Sequence, residues 1–65
     1  MWNKDNIKGV VFSIGNIVFT IHEVNKNGVV ISKEGKAPFH DVLEGTITNL
    51  NNGSYKIVNQ SYEIY

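Results

Sequence analysis

Sixty-five residues without a cysteine make one small domain, residues 1–65, that neither a disulfide framework nor a thiolate metal site can stabilise. Six Lys against six Asp and Glu give a formal net charge of zero, so no field steers the chain towards polyanions. There is no Arg, the usual side chain for bidentate recognition of phosphate and guanine.

A chain of this size buries only about 60% of the surface that its unfolded form exposes, so it needs a well-packed core or a second subunit. The longest apolar runs, Val10–Phe12, Ile17–Phe19 and Val29–Ile31, are three residues each. A bilayer span needs about eighteen. The start, Met1 to Asp5, lacks the apolar stretch of a signal peptide. The expectation is a cytoplasmic protein without membrane attachment. Nine Asn, eight Ile and six Lys suit an AT-rich genome, bacterial or phage.

Val, Ile, Phe and Thr are dense in the first half, and Gly15-Asn16 and Asn27-Gly28 divide it into strands. Read as a two-residue primed turn, Gly15-Asn16 sets a register: Ile14 opposite Ile17, Phe12 opposite Phe19, Val10 opposite Ile21 and Lys8 opposite Glu23. One face then carries apolar pairs closed by an ion pair, and a slip of one residue would misalign them all. The other face carries Val11, Ser13, Val18, Thr20, His22 and Val24, half of it apolar. Asn25 to Gly28 turns the chain, through a loop of two, three or four residues, into Val29–Ser32. Its unbroken apolar run predicts a strand covered on both faces or one with a bulge.

Lys33 to Pro38 reads as a loop, with Pro38 holding its predecessor extended. Beyond it, Leu43, Ile47 and Leu50 recur at helical spacing. Asp41 and Glu44 stand as in a capping box, and Gly53 is placed for a left-handed C-cap. A short helix over about residues 42–51 is predicted, although Gly45, Thr46, Thr48 and Asn49 are poor helix formers. Ser54–Val58 reads as a last strand with Tyr55 and Ile57 on one side, followed by a tail in which Tyr62 and Ile64 alternate. The expected fold is α+β, mainly β: a small antiparallel sheet in the order β-β-β-α-β with one short helix. The alternative is an SH3-like five-stranded β-barrel with only a helical turn.

No constellation of residues specifies chemistry. His40 and Asp41 are adjacent, and neighbours on a strand or helix point apart, so they do not orient one another as a dyad. His22, His40, Glu23 and Asp41 lack the paired spacing of zinc ligands. The six glycines are dispersed at turns, with neither a phosphate loop nor a dinucleotide fingerprint. The expectation is therefore no catalytic residue, no metal and no cofactor. Lys26, Lys33 and Lys36, with Phe39 and Tyr55, would make a stacking platform with a cationic rim for single-stranded nucleic acid. The plainer reading is a solvated lysine cluster that protects strand edges. Trp2, Tyr55, Tyr62 and Tyr65 sit near the termini, as interface anchors or as caps on the core.

The function expected is that of a non-enzymatic binding or regulatory module acting through protein–protein contact. A phage-encoded inhibitor of a host system fits the size and composition. The expected interaction surface comprises Val11, Val18, Val24, Lys26, Lys33, Lys36 and Tyr55. Burying Val11, Val18 and Val24 against a symmetry mate would make a homo-oligomer, a dimer before others. The alternatives are a single-strand nucleic-acid binder and a binder of a small anionic ligand at an oligomer interface, where backbone amides replace the missing Arg.

Overall fold

The computed structural model of the chain describes residues 1–60. Their expected α+β class is observed: a five-stranded antiparallel sheet and one short helix. Strands β1 (Val10–Ile14), β2 (Ile17–Asn25), β3 (Gly28–Lys33) and β4 (Phe39–Asp41) precede helix α1 (Leu43–Asn52), and β5 (Lys56–Gln60) follows it. The sheet order is β4-β3-β2-β1-β5, so consecutive strands meander and the last one returns beside the first.

The β1–β2 hairpin has the register expected at its tip, with Ile14 opposite Ile17 and Phe12 opposite Phe19. Gly15 has φ +61° and no other residue type has positive φ among the described residues, so the primed turn is the kind that needs glycine only at its first central position. Towards the open end the ladder becomes irregular. Gly9 N still donates to Ile21 O at 2.9 Å, but Lys8 lies outside β1, and the β2–β3 pairing shifts between Ile21 and Glu23. His22 and Glu23 together oppose Val30, which makes His22 the extra residue of a bulge. From Val24 onward the strand resumes in opposite phase to a straight reading, and Val24 faces inward beside Val29. A second shift, at Val11 and Phe12, leaves Val58 as the extra residue of β5.

The stretch expected as loop and helix cap contains the three-residue strand β4, with Phe39, His40 and Asp41 opposite Ile31, Val30 and Val29. That strand displaces the expected cap. Asp41 is the last residue of β4, so the cap position falls on Val42, which has extended backbone and makes no side-chain cap. Asp41 instead accepts a bond from the adjacent Val42 N at 2.7 Å. The helix starts one residue later than predicted and ends as expected at Gly53, whose φ of +88° is the left-handed cap. Buried Thr46 satisfies its hydroxyl by donating to Val42 O at 2.9 Å.

Leu50 closes a core of Ile7, Val10, Phe12, Ile21, Val29 and Ile31, with Leu43, Ile47, Trp2, Val24, Phe19 and Tyr55 packed around it. Each fully buried side chain of this size contributes about 1.5–3 kcal/mol. The N-terminal segment is fastened over the helix: Trp2 N donates to Asn51 Oδ1 at 2.7 Å, and Asn51 Nδ2 donates back to Trp2 O at 2.9 Å. Phe12 is sandwiched between Phe19 (centroids 5.4 Å apart) and Tyr55 (4.6 Å), both rings nearly parallel to it.

Candidate functional site

Cross-strand pairing orders the inner face of the sheet into rows. At the hairpin tip stand Ile14 and Ile17; the next row is Ile57, Phe12, Phe19 and Lys33; deeper rows hold Val10, then Ile21, Ile31 and Phe39. The helix is ten residues long, which spans about 15 Å, and with Trp2 and Ile7 it covers the deeper rows. Cover stops before the tip. Ile14 and Ile17 at the tip and Ile57 on edge strand β5 are 41%, 44% and 39% exposed, whereas Phe12 and Ile21 in the central strands are wholly buried. An apolar surface therefore protrudes beside half-buried Phe19 and Tyr55.

Lysines gather at the same end. Lys33 shares the inner-face row of Phe19, and Lys36 follows in the turn closed by Lys36 N on Lys33 O at 2.8 Å, while Lys56, opposite Ser13, stands on the outer face. Glu34 is the acid of this end, held beside β2 by its N–H on Val18 O at 2.9 Å. The opposite end, where the β2–β3 turn meets the start of α1, mixes signs. A cleft of about 370 Å³ opens there, lined by Lys4, Asp5, Val24, Asn25, Lys26 and Leu43. With a carboxylate between two ammonium groups, it offers an anion little net attraction.

The seven residues expected to form one interaction surface fall into three places. Lys33, Lys36 and Tyr55 meet at the hairpin-tip end. Lys26 lines the cleft at the opposite end, and Val24 lies beside it because the His22 bulge turns it inward. Only Val11 and Val18 remain of the expected outer-face patch, half-buried among Ser13 and Thr20. Tyr55 is not a free platform for bases, since its ring is engaged with Phe12. The expectation that Tyr62 and Ile64 pair or pack falls outside the described residues.

Residues that sequence reasoning missed as surface are Ile14, Ile17 and Ile57. Period-two alternation gives the face on which a side chain stands but not how far the covering layer reaches along it. The only available signal was length: Leu43 to Leu50 presents two helical turns, too short to roof a hairpin from Val10 to Ile14 and the helix-facing part of β3 together. The outer face holds another unforeseen contact, His22 Nε2 and the Ser32 hydroxyl 2.7 Å apart. A base activates a nucleophile through such a bond, but activation also needs the imidazole to be oriented by a third group. This pair lies exposed on the sheet, and among the described residues no carboxylate bonds to the other ring nitrogen. The contact ties the bulge to β3.

His40 and Asp41 occupy opposite faces of β4, and both are exposed. Among the described residues no three His, Asp or Glu side chains come together around a point that could hold a metal ion. No described helix is long and apolar enough to cross a membrane. Comparison with protein-family models, curated proteins and solved structures finds no match to this chain.

Proposed function

We propose that the chain is a non-enzymatic binding module that works by contact with another protein, through the hairpin-tip end of its inner sheet face. The observation that carries this reading is the exposure of Ile14, Ile17 and Ile57 together at one end of a face whose central strands are closed by α1 and the N-terminal segment. Contiguous apolar surface of this kind, rimmed by polar groups, marks interaction sites on small soluble domains. The half-buried aromatics next to it, Phe19 and Tyr55, are held rigid by their stack on Phe12, so a partner would meet a preformed surface.

Site-specific photocrosslinking in the cells that make the protein tests the reading. A benzophenone side chain at position 17 should yield discrete protein adducts, and one at Asn27, exposed at the opposite end, should yield none. Adducts to nucleic acid at position 17, or protein adducts only at position 27, would overturn it.

A further inference from the structure

The chemistry around the exposed isoleucines identifies the kind of partner. Resting on the protein-contact reading above, we infer that the hairpin-tip surface takes an acidic amphipathic segment of another protein, its apolar side chains on Ile14, Ile17 and Ile57 and its carboxylates facing Lys33 and Lys36.

Three features support the assignment. First, charge is unevenly distributed along the strands. Lys33, in the inner-face row of Phe19, and Lys36, in the turn after it, share the tip end with Glu34 alone among the described acids, while Asp5, Glu23, Asp41 and Glu44 lie towards the other end with Lys4, Lys8 and Lys26. A neutral chain thus presents two lysines on one side of an apolar surface, which draws and orients an acidic partner. Second, α1 also ends at this side, but its last turn is partly engaged, with Tyr55 N donating to Asn49 O at 3.0 Å. The lysine ammonium groups carry full charge and reach farther than the helix dipole, which fades within one turn.

Third, the surface suits a peptide better than its competitors. Single-stranded nucleic acid needs aromatic faces on which bases stack. Here the Phe19, Phe12 and Tyr55 rings stack on one another, and what protrudes around them is aliphatic. Phe39, the exposed ring of the inner face, lies across the sheet beside Ile31. A second copy docked by two-fold symmetry would set two surfaces of the same sign of charge against each other, since an isologous interface presents the same patch from both sides. Like charges juxtaposed in that way disfavour the pairing.

The test is selection from a random dodecapeptide display library against the immobilised chain, with enriched peptides then titrated into isotope-labelled protein. The expected result is enrichment of sequences that combine Asp or Glu with Leu, Ile, Val or Phe. Amide shifts should concentrate at residues 12–19, 33–36 and 55–57. Affinity for an enriched peptide should fall at least about tenfold in Ile17→Ser and, separately, in Lys33→Glu combined with Lys36→Glu. The charge variant alters only exposed side chains, so its loss of binding cannot be put down to unfolding. A neutral or basic consensus, or affinity unchanged in both variants, overturns the inference. Neutral or basic peptides whose shifts map to these residues overturn the acidic partner but leave the protein-contact reading standing, whereas peptides whose shifts map elsewhere overturn the surface on which both rest. Failure of every peptide, with those same amides moved by oligothymidylate or by phosphatidylserine vesicles, overturns both.

Discussion

Phe12 and Ile14 are two residues apart on one strand and point to the same side of the sheet, yet one is wholly buried and the other 41% exposed. Their partners across the hairpin repeat the contrast, with Phe19 packed in a stack of three rings and Ile17 left open. What differs between the rows is not hydrophobicity: Phe12 and Phe19 have strand partners on both sides and a layer above them, and Ile14 and Ile17 pair only with each other. Over the deeper rows lie Leu43, Ile47 and Leu50 of α1 and the fastened N-terminal segment. Burial in this small sheet falls off where its cover and flanking strands end, at the hairpin tip for Ile14 and Ile17 and on the edge strands for Ile57 and Phe39.

The contrast breaks if mutation costs do not follow it. The largest effect is expected at Phe12, where truncation empties the centre of the ring stack: Phe12→Ala should lower stability by about 3–5 kcal/mol in a urea titration. Gly28→Ala comes next, because Gly28 holds the covered end together. Its φ is +126°, and an added Cβ would run into the carbonyl oxygen of Asp41, a backbone atom fixed by the β3–β4 ladder. Strain alone is worth about 1–3 kcal/mol, and it should show as loss of protection from hydrogen exchange along β4 and the first turn of α1. At the open tip, Ile17→Ser should cost roughly 1 kcal/mol, in line with the half of its surface that is buried. Equal melting-temperature losses for Phe12→Ala and Ile17→Ser would mean that the two rows share one environment and that the tip is core.

The hairpin was legible because a glycine-led two-residue turn and matched apolar pairs constrain the same register. The helix was legible from Leu43, Ile47, Leu50 and Gly53, which agree on period and end point. Strand β4 was not, since three residues after Pro38 are too few to show alternation and Asp41 has an equally good reading as a cap. The placement of Val24 was lost for a different reason. The bulge at His22 carries no glycine to announce it, and a single unpaired residue inverts everything after it. Of the candidate site, Lys33, Lys36 and Tyr55 stand at the tip end among the seven residues expected to share one surface, and the other four lie elsewhere. The isoleucines were not legible, because a strand pattern cannot tell a roofed face from an open one.

The bulge at His22 does more than turn Val24 inward. Ile21 pairs with Ile31 and Glu23 with Val30, so the ladder would close without a gap if residue 22 were absent, with every apolar side chain still on its present side. In this strand, pattern and curvature are encoded separately: the alternation of side chains belongs to the residues on either side, and the bend belongs to one histidine tied to Ser32. A chain shortened by that residue would keep its inside and outside and lose its shape, a kind of mutation that composition and hydropathy cannot register.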